Sequence, residues 1–103
     1  MIKVSVLYPN GPGATFDIAY YTRSHMPMVG RLLGEALKRM EIDEGLGGMT
    51  PGSSAPYLGM CHLLFNSVED FGAAFAQHGA AIQADIPNYT NTQPIIQISA
   101  VKM

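Results

Sequence analysis

Tyr8-Pro9-Asn10-Gly11-Pro12-Gly13-Ala14-Thr15-Phe16-Asp17-Ile18-Ala19-Tyr20-Tyr21-Thr22-Arg23-Ser24-His25-Met26-Pro27 is the stretch in which the chain changes period. Before it, Ile2, Val4, Val6 and Tyr8 alternate with Lys3, Ser5 and Leu7, which predicts a strand over residues 2–8 with one strongly apolar face. Turn formers from Pro9 to Gly13 end that strand. Asp17 is a residue type that caps helices by accepting from a first-turn amide. Beyond it, Ile18, Tyr21, His25, Met28, Val29, Leu32 and Ala36 recur at helical spacing. Pro27 lacks an amide hydrogen and crowds the turn before it, so the expectation is two helical pieces, 17–24 and 27–36, with a joint at His25.

Downstream, residues 37–46 alternate weakly, with Met40 and Ile42 set among Arg39, Glu41 and Asp43, as suits a charged edge strand. Residues 47–54 read as a loop. Tyr57 to Phe65 has no polar alternation, and a strand of that kind is covered on both faces. Ser67-Val68-Glu69-Asp70 resembles a capping box, with Ser67 as the cap and the carboxylates in the first turn of a helix. The helix it opens carries a stripe of Val68, Phe71, Phe75, His78, Ile82 and Ile86, stopped by Pro87. Gln93 to Val101 is the last strand, with Ile96, Ile98 and Ala100 on one face.

The order β, α, β, β, α, β specifies an α+β fold of the ferredoxin-like, split βαβ type, in which a four-stranded antiparallel sheet packs two helices on one face. Residues 1–103 make one domain of this kind. Two helices leave the other sheet face bare, and the two-sided strand at 57–65 calls for a cover; a second copy of the same sheet is the simplest one, so a homodimer is expected.

Composition removes several functions. A formal charge of -2 with six Lys and Arg provides no basic surface for nucleic acid and no polybasic run for a membrane. No apolar run reaches the roughly 18 residues of a membrane span. The chain enters its first strand directly at Met1-Ile2-Lys3-Val4, and its one cysteine, Cys61, forms no intrachain disulfide, so the expected location is the cytoplasm.

Val6-Leu7-Tyr8-Pro9, Phe16-Asp17, Tyr20-Tyr21, His25-Met26-Pro27, His62-Leu63, Phe65, Ser67-Val68-Glu69 and Asp85-Ile86-Pro87-Asn88-Tyr89-Thr90 together resemble the EthD family, named for a protein of ethyl tert-butyl ether degradation. The resemblance spans nearly the whole chain. It implies a ferredoxin-like subunit of a dimeric α+β barrel, in a superfamily that includes small monooxygenases, haem-degrading enzymes, cyclases and isomerases. An oxidoreductase-associated role is what the family name invites.

His25 and His78 each follow an apolar stripe residue by seven positions, Ile18 and Phe71, which sets them on the sheet-facing sides of their helices. Imidazole exchanges protons near neutral pH, so His25 is the candidate acid/base and His78 a second proton carrier. Each also reads as a core-edge histidine bonded to backbone carbonyls. Tyr21 lies on the stripe and is the candidate hydroxyl donor to a carbonyl substrate, while Tyr8, Tyr57, His62 and Met28 are candidates for lining a ligand pocket. Asp17 reads as a cap rather than a partner for histidine. The three histidines have no metal-ligand spacing, and no metal or cofactor is expected.

Two functions follow. One is a cofactor-independent enzyme acting on a small hydrophobic or aromatic carbonyl metabolite. The other is a non-catalytic accessory or carrier that holds such a metabolite for an oxygenase. A haem site on a lone axial histidine is a third, weaker alternative.

Overall fold

The alternating N-terminal residues form strand β1, Ile2–Pro9, at the centre of the sheet in the computed structural model, which describes residues 1–103. Strands β2 (Arg39–Glu44), β3 (Tyr57–Phe65) and β4 (Ile95–Ala100) complete an antiparallel sheet of order β2-β3-β1-β4. Register sets Val4 opposite Leu63 and Ile98, and Val6 opposite Cys61 and Ile96, so these side chains share the helix-covered face. Ser5 with His62, and Leu7 with Met60, share the open face. The expected α+β, ferredoxin-like arrangement is thus the one observed.

The first helical segment departs from expectation in its detail. Helix α1, Ile18–Tyr20, does not break at residues 24–26 but widens into a π turn, Tyr21–His25, that runs on into α2, Met26–Leu33. Pro27 sits in the first turn of α2, where a missing amide is tolerated. The Met26 amide reaches back to the Tyr21 carbonyl across the wide turn. In an uninterrupted α-helix, positions four apart drift about 40° around the axis per step. The π turn takes that drift back, and Tyr21, His25, Val29 and Leu33 all stay buried in one row. Met28, Leu32 and Ala36 of the expected stripe are only half-buried.

Both expected caps are made. Asp17 Oδ1 accepts from the Tyr20 amide at 3.0 Å, and Ser67 Oγ from the Asp70 amide at 3.1 Å at the start of α3, Val68–Ala84. A 3₁₀ turn, Ile86–Asn88, then carries the chain back beside the start of the first helix. There Phe16 bridges Thr90, the Asp17 amide donates to the Tyr89 carbonyl at 2.7 Å, and Thr90 Oγ1 donates to the Thr15 carbonyl at 2.6 Å. These bonds fix the turn after α3 against the first helix. Phe16 in turn lies over Gly59, where a Cβ would come within 2.7 Å of its ring. No helix is long and apolar enough to cross a membrane.

Candidate functional site

Between the helices and β1 and β3 lies a cavity of about 120 Å³. Its walls are mostly aliphatic and aromatic, including Val4, Val29, Leu63, Phe75 and Ile82; Ile96 on β4, half exposed, stands at its rim. An apolar cavity of roughly 150 Å³ holds a benzene ring, so this one has the scale of a single small ring. The polar groups in the wall are Tyr8, Tyr21, His25, Cys61 and Gln83.

His25 is 2% exposed and both its ring nitrogens are engaged. Nδ1 lies 2.9 Å from Asp85 Oδ2, and Nε2 lies 3.3 Å from the Tyr89 hydroxyl, which is 2.6 Å from that of Tyr8. Asp85 Oδ1 accepts from Tyr20 Oη at 2.7 Å and from Asn88 Nδ2 at 2.9 Å. Burial works to raise the Asp85 carboxyl, but hydrogen bonds from Asn88, His25 and Tyr20 outweigh it and hold the group below its ordinary value. Burial lowers the His25 imidazole, against the opposing pull of Asp85. The pair at neutral pH is therefore a carboxylate and a neutral imidazole.

Protonation then follows from counting hydrogens. An ionised carboxylate only accepts, so the His25 proton is on Nδ1 and Nε2 accepts from Tyr89. Tyr89 has one hydroxyl hydrogen, so Tyr8 must donate to Tyr89. Tyr8 thereby keeps lone pairs but no free hydrogen.

Tyr21 is the reverse case. It is fully buried, stacked on the His25 ring at 5.6 Å and 13°, and its hydroxyl makes no hydrogen bond. Burial raises its pKa far above the ordinary value, with further contributions from the neighbouring Cys61 and Tyr8. Burial likewise raises Tyr8 and Tyr89, and pushes the Cys61 thiol up to about 11. Every one of these groups is neutral at pH 7. The cavity wall thus holds one hydroxyl without a hydrogen-bond partner, that of Tyr21, on a ring whose centroid is 5.6 Å from that of Tyr8.

Of the residues singled out in the sequence, His25, Tyr21 and Tyr8 come together in this cavity. The others do not line it. His78 borders an open surface hollow with Asp70, Gln77 and Lys38. His62 is on the open sheet face, where Nδ1 lies 2.8 Å from Ser5 Oγ and Nε2 3.6 Å from Asp43. Tyr57 pairs with Pro9 at the end of β3, and Met28 packs against the core from α2. Helical spacing placed His25 and His78 alike on sheet-facing stripes, but α3 lines the cavity with Phe71, Phe75, Ile82 and Gln83, while His78 borders the hollow beside the end of α2 instead.

Asp85 and Tyr89 are site residues that periodicity missed, since they flank a 3₁₀ turn with no repeat to detect. Their signal was the Asp85-Ile86-Pro87-Asn88-Tyr89-Thr90 run itself. No cluster of three His, Cys, Asp or Glu side chains is placed to hold a metal ion. A haem site does not fit these residues: the cavity is far smaller than a porphyrin, and its one histidine has no free ring nitrogen.

The model of the EthD domain matches residues 14–93. The crystal structure of an EthD-like protein from Ralstonia eutropha JMP134 superposes with a TM-score of 0.95 at 45% identity, covering 99% of this chain and 92% of that one. An ethyl tert-butyl ether (EthD) family protein from Bacillus halodurans C-125 has a TM-score of 0.75 at 19% identity, with 99% of both chains covered. HapK from Hahella chejuensis has a TM-score of 0.53 at 11% identity over 98% of this chain and 94% of its own. These last two share the fold. No curated protein matches the chain in sequence.

Proposed function

The chain belongs to the EthD family, and from that premise we propose that it binds a small hydrophobic or aromatic metabolite, about one ring in size, by a single carbonyl or enol oxygen in the cavity beneath its helices. The observation that carries this reading is the Tyr21 hydroxyl, buried and without a partner in a mostly apolar wall. A buried unpaired hydroxyl costs about 1–3 kcal/mol, and a ligand oxygen in the cavity removes that cost. The surrounding aliphatic and aromatic side chains supply the hydrophobic part of the affinity, and Tyr21 supplies orientation.

Acetophenone, one ring with one carbonyl, tests it. The expected result is saturable binding that shifts the resonances of Val29 and Leu63, with affinity about tenfold weaker in Tyr21→Phe, as suits loss of about 1.4 kcal/mol. Unaltered affinity in that variant, or shifts confined to the outer surface, overturns the assignment.

We also infer that the protein pairs with a second copy through its open sheet face. Leu58, Met60 and Leu64 on that face are only half-buried, and just 15 of 103 residues are buried in the single chain. Its accessible surface of 6305 Å² exceeds the roughly 5,700 Å² typical of a folded monomer of this mass. A second sheet laid on this one covers the excess.

A further inference from the structure

We propose that Tyr8, Tyr89, His25 and Asp85 form a proton relay leading from the cavity towards the protein surface, and that this path deprotonates an enolic or phenolic ligand bound there. The proposal rests on the ligand reading above and extends it from binding to chemistry.

His25 touches the cavity with its ring, yet both nitrogens are occupied, by Asp85 and by Tyr89. It therefore acts at a distance, and the chain of contacts shows through what. Tyr8 lines the cavity, and its hydroxyl is 2.6 Å from Tyr89, whose hydroxyl is 3.3 Å from His25 Nε2. Beyond His25, Asp85 is 17% exposed and stands at the boundary with solvent. A ligand hydroxyl in the cavity donates to the Tyr8 lone pair and accepts from Tyr21, the one pairing the two tyrosines leave open.

Transfer then runs in one direction. The ligand O–H bond breaks and its proton joins Tyr8 Oη, whose own hydrogen passes to Tyr89. The Tyr89 hydrogen passes to His25 Nε2. Both phenols end as they began, neutral and each with one hydrogen. The products are a ligand oxyanion, held by the Tyr21 hydroxyl, and an imidazolium, held by the Asp85 carboxylate. One proton has moved, no electrons are gained or lost, and the oxyanion and imidazolium charges balance. Burial keeps His25 neutral at pH 7, with its Nε2 lone pair directed at the Tyr89 hydroxyl. Tyr89 and His25 are positioning and relay residues, and Tyr8 and Tyr21 are the groups that touch the ligand.

Two measurements test the path. Without ligand, nitrogen NMR of the imidazole should show hydrogen on Nδ1 with Nε2 bare; hydrogen on Nε2 overturns the proposal. With 4-nitrophenol, whose anion is yellow and whose neutral form is colourless, the bound probe should turn yellow while His25 becomes imidazolium, with no proton released to a weakly buffered solution. In Tyr89→Phe, which keeps the ring and its packing, the probe should bind with affinity within about threefold while His25 stays neutral. His25 protonation that survives Tyr89→Phe, or that is absent from the wild type with the probe bound, overturns the path. Failure of acetophenone and 4-nitrophenol alike to bind counts against the ligand reading, whereas the ligand-free tautomer bears on the path alone.

Discussion

His25 and Asp85 meet at 2.9 Å across the edge of the protein, the imidazole buried and the carboxylate partly in water. The two partners shift in the same direction, for different reasons. Burial lowers the imidazole despite Asp85, while hydrogen bonds lower the carboxyl despite burial. Between the folded value of His25 and its unfolded value near 6.5, the unfolded chain binds more protons. The stability this group contributes is thus complete above about pH 6.5 and is lost as pH falls through the folded value. Asp85 adds a further loss of the same sign below about pH 3.9. Urea melts between pH 7.5 and 4.5 should show stability falling toward acid, and Asp85→Asn should move the His25 titration lower still, at a cost of about 1–3 kcal/mol at pH 7. A His25 titration that rises in Asp85→Asn contradicts the account.

Tyr21→Phe should separate stability from binding. The hydroxyl has no partner in the empty protein, so its removal should raise stability by about 1 kcal/mol. The same change weakens a carbonyl ligand. Thermal melts and titrations of one preparation read both effects, and a destabilised variant would mean that the hydroxyl has a partner after all.

Gly59→Ala should be costly for a position with no catalytic part. Its new Cβ meets the Phe16 ring at 2.7 Å, and that ring is pinned between Tyr8, Tyr21 and Tyr89 with centroids 5.0, 4.9 and 5.6 Å away. Overpacking of this kind costs about 1–3 kcal/mol. Adding Phe16→Leu should recover part of the loss, and a double variant no better than the single one argues against the clash.

Met60→Asp tests the second copy. Met60 is opposite Leu7 on the open face, away from the cavity. A buried unpaired carboxylate in an interface of about 800 Å² per partner should shift a dimer to monomer in sedimentation at micromolar concentration. A wild type that sediments as a monomer ends the inference.

Much of this was legible in residue order. Alternation at Ile2 to Tyr8, the unbroken apolar run at Tyr57 to Phe65 and the caps at Asp17 and Ser67 each encode a local structure, and local structure in this order admits few folds. His25 and Tyr21 were visible because both sit on one short helical stripe. The π turn was not visible: Pro27 announces that the helix must adjust, but either a break or a widened turn accommodates the missing amide, and only packing against the sheet selects between them. Asp85 and Tyr89 were equally hidden as partners of His25, since a contact across the fold leaves no periodic trace. Ile96 and Ile98 face the helices as their alternation requires, yet remain 50% and 45% exposed because the helices do not reach over β4.

The contacts that build the relay join residues 60, 64 and 81 positions apart along the chain. Closing loops of that length comes after local structure has formed, since their entropy cost is met only once non-local contacts accumulate. Helix α3 and the β1–β3 ladder can form while the turn after α3 is still loose, and Tyr89 reaches His25 only when the Phe16–Thr90 bridge closes. The chain has no tryptophan, and Tyr8, Tyr20, Tyr21 and Tyr89 pack in this one cluster, so its tyrosine signal in the near ultraviolet reports the site almost alone. In a refolding experiment that signal should lag behind the recovery of backbone structure, which makes competence for binding the last property the chain acquires as it folds.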